Sequence, residues 1–280
     1  MNGLESSIKK TLSYAGYFHY PLDQEELHLW LIGDKQVSKQ KLNSVHTQNL
    51  TSREKLLKEK LKKISLSKVI STQKIVGILS AVPTINLVAI TGSVAIGNAK
   101  EMDDIDLLIV TQRNTLWLTR PLVLLLLSIV GKRRHPNASY LEAANSFCPN
   151  LWLENGSLFV PKDKQNLYTA HEVLQTMPIF DRGNTYQTFL HTNKWIKNHL
   201  ANAFDTKSSK TPPDNDNKLI IFLLGLLFFP LNSVSYLVQH LYMKPKLTKE
   251  TVTLNSAYFH KINFAKKIDE HFRINRVGYN

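Results

Sequence analysis

The chain has 280 residues, 43% hydrophobic and 20% charged, with 11 Gly and 11 Pro. This composition excludes collagen, disulfide scaffolds and disordered tails and suits one large domain or two of modest size. The single cysteine, Cys148, allows no internal disulfide and fits a reducing cytoplasm, and no signal peptide is expected at the start. The net charge is +13, and it is uneven: Lys and Arg exceed Asp and Glu by 13 to 7 over residues 1–80, 11 to 9 over 81–200 and 11 to 6 over 201–280. Basic flanks of this kind attract a polyanion, whether nucleic acid, nucleotide phosphates or an anionic membrane face, although they also serve solubility alone.

In chain order, Ile8 to Tyr17, Gln24 to Ile32 and Ser38 to Val45 read as short helices, a unit (1–66) with the spacing of a helix-turn-helix or winged helix. Lys35, Lys39 and Lys41 would be its nucleic-acid contacts. Glu54 to Ile64 places Leu56, Leu57, Leu61 and Ile64 at helical spacing, and Lys68 to Ala81 continues as an amphipathic helix. Leu87 to Ile90 and Ile105 to Val110 then read as buried strands, Thr115 to Val130 as a buried helix, and Leu151 to Glu154 as a third strand turning at Asn155-Gly156 into Leu158 to Val160. The fold class expected is therefore α/β, mixed α+β, with helical N- and C-terminal parts around a core at 67–205. Tyr168 to Thr176 reads as a helix, and its His171-Glu172 pair reads as packing. Residues 206–217 read as a linker and 218–280 as a helical C-terminal part. Within that part, Leu219 to Val238 carries no charge but is interrupted at Pro230, which suggests two packed helices that turn Tyr236, Leu237 and Leu241 inward. The alternative is a membrane-associated helix at 219–238. Leu122 to Leu127 is assigned to the core.

The chemistry concentrates where the first strand meets Thr91-Gly92-Ser93, followed after ten residues by Asp104-Ile105-Asp106. Strand alternation puts Asp104 and Asp106 on one face, about 6.6 Å apart, with Ile105 in the core. Two carboxylates so placed suit hard divalent cations, Mg²⁺ or Mn²⁺, and a glycine at the strand end lets main-chain amides approach phosphate. In a blander account Asp103 and Asp104 cap a turn, Asp106 pairs with a local Lys and Gly92-Ser93 is an ordinary loop.

Gly92-Ser93, the ten-residue gap and Asp104-Ile-Asp106 before an apolar run resemble the signature of the DNA polymerase β-like nucleotidyltransferase superfamily over about residues 70–160. Tyr20-Pro21-Leu22, Gly131-Lys-Arg-Arg, Cys148-Pro149-Asn150, Leu167-Tyr-Thr-Ala and Tyr258-Phe-His260 resemble a bacterial group within it. The resemblance implies transfer of a nucleoside monophosphate group from an NTP, with two ions on Asp104 and Asp106 and with Gly92 and Ser93 at the triphosphate. It names no acceptor; RNA, protein and small molecules all occur in the superfamily, and residues 206–280 are expected to choose among them. A third carboxylate is expected on a later strand. Glu154 is the first choice for it, with Glu142 and Asp163 behind. Arg120, Lys132 and Arg133 are further phosphate contacts, weighed against surface placement and helix-end charge pairing. A different class, a nucleic-acid-binding regulator with an inactive, nucleotide-sensing core, would keep the fold without the turnover.

Overall fold

The continuous apolar runs become strands because both faces of the sheet they enter are covered. The computed structural model describes residues 3–135, 138–208, 218–259 and 263–277. Its strands are β1 (Ile85–Ile90), β2 (Ile105–Thr111), β3 (Phe147–Glu154), β4 (Met177–Asp181), β5 (Thr251–Val252) and β6 (Ser256–Tyr258). They form one six-stranded sheet in the order β4-β1-β2-β3-β6-β5. The β2/β3 pair is parallel and the others are antiparallel, so the protein is mixed α+β.

The helices are α1 (Gly3–Tyr17), α2 (Gln24–Leu29), α3 (Lys39–Asn43), α4 (Ser52–Ser80), α5 (Gly92–Ala95), α6 (Leu116–Ile129), α7 (Tyr140–Ala143), α8 (Leu167–Gln175), α9 (Thr185–Thr192), α10 (Ala201–Lys207), α11 (Lys218–Met243) and α12 (Phe264–Ile274). On one sheet face Leu87, Ala89, Leu108, Val110 and Leu153 pack with residues of α1, α8, α9 and α12. On the other, Val88, Ile90, Leu107, Ile109 and Trp152 meet α4 and α6, with Met243 at the end of α11. The first three helices bury Ile8, Leu22, Leu27 and Leu42 in a small cluster of their own.

Several expectations change. Thr51 and Glu54 form a capping box that starts α4, and the helix runs unbroken through the expected boundary at 66/67. Its buried lane is Lys58, Leu61, Ser65, Lys68, Thr72, Ile75 and Leu79, whereas Leu56 and Leu57 are exposed. The lane accepts lysines because each has partners: Lys58 pairs with Asp23 and Glu26, and Lys68 donates to main-chain and Asn145 oxygens. The hairpin at Asn155-Gly156 does not form. The strand after β3 in the sheet is β6 from near the C-terminus, so residues 218–280 are not helical throughout. Among the described residues no strand pair follows α3 as a wing would, and Lys39 pairs with Glu25.

Pro230 lies inside α11, which continues through it as one helix. Tyr236 does pack inward on Trp117, but Leu237 and Leu241 face solvent, as do Leu122 and Leu125 of α6. Among the described residues, no helix is long and apolar enough to cross a membrane. Most of the expected linker, 209–217, and His260 lie outside the described residues.

Candidate active site

β1 ends at Ile90, and its hydrogen-bonded neighbour β2 begins one residue after Asp104, so the turn after β1 and the start of β2 lie side by side. Thr91 N–H donates to the Asp106 carbonyl at 3.0 Å, locking the two segments together. Gly92 follows with φ +64°, and a Cβ there would meet Asp106 Oδ2 at 2.9 Å. Both the left-handed backbone and the approach of the carboxylate therefore require glycine.

β3 lies parallel to β2 with Cys148 opposite Asp106, and a register shift beyond Leu107 leaves Asn150 between two paired positions. Asn150 Nδ2 donates to Asp106 Oδ1 at 2.6 Å. Carboxylate oxygens of Asp104 and Asp106 and the Cys148 sulfur all lie within 4.8 Å of one another. Arg134 Nη1 donates to Asp104 Oδ2 at 2.6 Å and approaches the Cys148 sulfur at 3.8 Å.

The electrostatics follow from this crowding. Burial, and then the charges of Asp104 and Glu172, push the Asp106 carboxyl up to about 8. Burial and the same two aspartates push the Cys148 thiol up to about 12, so it is protonated at neutral pH. Glu172 on α8 is itself pushed up to about 7 by burial, against the pull of the Tyr168 hydroxyl.

Lys68 fixes the approach to this cluster. Its ammonium donates to the Asp103 carbonyl at 2.7 Å, the Glu101 carbonyl at 3.1 Å and Asn145 Oδ1 at 2.5 Å, holding the turn that delivers Asp104. Asp103 caps that turn, accepting from Lys100 N–H at 2.9 Å and from the Ser93 hydroxyl at 3.1 Å. One half of the bland account is thus fulfilled by Asp103, while Asp104 and Asp106 are free of that duty.

Residues 73–156 match the family described as the nucleotidyltransferase domain. They form a nucleotidyltransferase domain. The match begins within α4 and ends just past β3, so it contains Gly92, Ser93, Asp104, Asp106, Cys148 and Asn150. No curated protein and no solved structure matches the chain.

The other residues expected at the site of the nucleotidyltransferase domain are placed away from its aspartates. Glu154 pairs in register with Thr111, at the opposite end of β2 from Asp106. It is wholly buried, and Leu116 N–H donates to its Oε1 at 3.2 Å. Burial raises its carboxyl, and the amides of Asn114, Leu116 and Thr115 oppose that rise. It anchors the start of α6 and does not join the aspartates. Arg120 stacks on Phe259 at 4.9 Å and donates to Gln239 at 2.9 Å, packing among residues of the other sheet face. Burial and nearby Arg133 push its guanidinium down to about 10. In the basic run after α6, Arg134 is the residue that reaches Asp104, and Lys132 is exposed. Glu142 caps α7, and Asp163 lies in a short turn before α8.

Sequence reasoning missed Lys68, Arg134, Asn150 and Glu172 as site neighbours. A cue for Asn150 existed in Cys148-Pro149-Asn150, but only the parallel register of β3 shows which of the three touches Asp106.

Proposed function

We propose that the domain transfers a nucleoside monophosphate group from an NTP to an acceptor hydroxyl or phosphate with the help of Mg²⁺ or Mn²⁺. The observation that carries this is the convergence of Asp104 and Asp106 beneath Gly92, where two carboxylates crowd and one is pushed up to about 8. A divalent cation balances that charge, and hard oxygen donors fit Mg²⁺ or Mn²⁺, whereas a protonated thiol at Cys148 does not favour a soft metal. Asp104 and Asp106 would hold the metal, and two ions could share them. A metal so held supplies Lewis-acid activation of the attacking oxygen and neutralises charge on the departing pyrophosphate.

The chain's own groups position and screen. Asn150 fixes one oxygen of Asp106, so the other is presented beside Gly92. Gly92 and Ser93 border the space for the triphosphate, and Arg134, already at Asp104, offers its guanidinium to phosphate oxygens. Glu172, rather than Glu154, is the third carboxyl whose charge acts on Asp106. The Cys148 thiol, neutral beside them, adds no charge.

Calorimetric titration with Mg²⁺ and each of ATP, CTP, GTP and UTP tests the proposal, alongside transfer of α-labelled NTP to cell RNA, cell protein and small alcohols. Wild type is expected to bind a nucleotide in a metal-dependent way and to label one acceptor class. Equal binding and labelling by Asp104→Asn/Asp106→Asn would overturn the assignment.

A further inference from the structure

Helix α11 is built inside out. Three of its polar residues face the protein: Asn232 Oδ1 accepts from Trp117 N–H at 2.8 Å, and Ser235 Oγ and Gln239 Nε2 each donate to the Trp117 carbonyl at 2.7 Å. Its apolar residues face out. Leu227, Leu231, Val234, Val238 and Leu241 are 60–70% exposed, and beside them Leu125 and Ile129 of α6 are 56% and 71% exposed. At about 100° per residue, the exposed apolar side chains of α11 from Leu226 round to Tyr242 span roughly 160° of its circumference without a polar residue between them, with Phe229 beyond Ser233 and His240 at one edge. Neither helix contains an acidic residue.

This surface ends in positive charge. The C-termini of α6 and α11 come together where Lys246 sits over the Tyr242 ring at 3.9 Å. Lys246 first, and Arg133 from beyond α6 as well, hold the Tyr242 hydroxyl below its ordinary value. Lys132, just past the end of α6, and Lys244, just past the end of α11, are exposed there.

We propose that the α6/α11 face docks in the plane of an anionic lipid bilayer, its apolar arc in the acyl boundary and its basic end among the headgroups. A second copy of the chain fits less well. Packing between helices covers a stripe of about 100°, short of the arc, and a two-fold contact would bring basic ends to a face with no acid to meet them. A lipid phase wraps the whole arc, and anionic headgroups complement the lysines.

Flotation of the full-length protein tests this with vesicles of phosphatidylcholine plus phosphatidylglycerol against phosphatidylcholine alone. The protein is expected to float with the anionic vesicles and to weaken as salt rises. Val234→Gln/Val238→Gln, at exposed positions, should lower the partition coefficient about 100-fold. Lys244→Gln/Lys246→Gln should lower it about 30-fold on anionic vesicles alone. Wild type that floats with neither vesicle overturns the proposal. So does a lipid-free dimer in sedimentation that Val234→Gln/Val238→Gln dissociates, since the same face would then belong to a second copy.

Discussion

Each end of the parallel pair β2/β3 carries a carboxyl set into the fold, and the two ends are built on different terms. At one end Glu154 is wholly buried, and its Oε1 accepts from the Leu116 main-chain amide at the start of α6. At the other, Asp106 has one side-chain donor, Asn150, and otherwise faces Asp104, a thiol and the bare Cα of Gly92. Main-chain amides hold their position in every state of the protein, so they make a carboxyl part of the scaffold. Crowded carboxyls without such donors raise one another's hold on a proton, and an added cation can take that proton's place. Position in the strand does not separate the two cases; the donors do.

The sharpest way to break this contrast is to neutralise each end in turn. Asp106→Asn is expected to lower nucleotidyl transfer by about 10³-fold. Its thermal unfolding should stay at or above wild type, because the carboxyl it removes is already pushed up to about 8 by burial and like charge. Glu154→Ala should do the reverse, keeping turnover while losing about 1–3 kcal/mol of stability as the amides before α6 lose their acceptor. Unfolding curves and initial rates on the two variants check the pair. Loss of turnover at unchanged stability in Glu154→Ala would erase the contrast.

Gly92→Ala probes the same end with a smaller change. The left-handed φ of +64° costs an L residue about 1–2 kcal/mol, and the new Cβ, 2.9 Å from Asp106 Oδ2, must push that carboxylate aside. Transfer is expected to fall about 10-fold to 100-fold, with apparent metal affinity weakened in the same variant. A rate equal to wild type would show that the site does not depend on the closeness of that approach.

How far the sequence shows these terms depends on whether a feature is local. Gly92, Ser93 and the Asp104-Ile-Asp106 alternation lie on one strand, a turn and the next strand, so period and spacing expose them. So do the buried runs of β1 and β2. Glu154 misled because alternation assigns a face but not an end, and only the register with Thr111 places it far from Asp106. Lys68 could not be seen because it comes from mid-helix, thirty-five residues before the carbonyl of Asp103 that it holds. The lane of α4 reads as leucines in sequence, yet Lys58 and Lys68 occupy it once their acceptors are folded around them. α11 misled in the opposite sense: an uncharged apolar segment predicts inward leucines, but three polar side chains fix its inner side and turn the leucines out.

Adjacent residues on α8 extend the contrast to titration, with the smallest expected effect at neutral pH. His171 is 2% exposed, stacks on Tyr14 with ring centroids 4.1 Å apart, and is held down to about 3 by burial first and by His199 second. Its folded value lies below its ordinary one, so the stability it permits is present above about 6.5 and is lost as pH falls toward about 3. Glu172 has the opposite sign: raised to about 7, its contribution is present below its ordinary range and is lost as pH rises through about 7. His171→Phe keeps the aromatic stack and removes only the first dependence. It should leave turnover and neutral-pH stability near wild type while abolishing a loss of up to about 1.4 kcal/mol per pH unit below 6.5. Denaturant unfolding at pH 7.5, 6 and 5 reads this directly. An unchanged acid slope in His171→Phe would move the acid sensitivity to other groups; an altered rate at pH 7.5 would bring His171 from the packing side of α8 to the chemical side, where Glu172 stands.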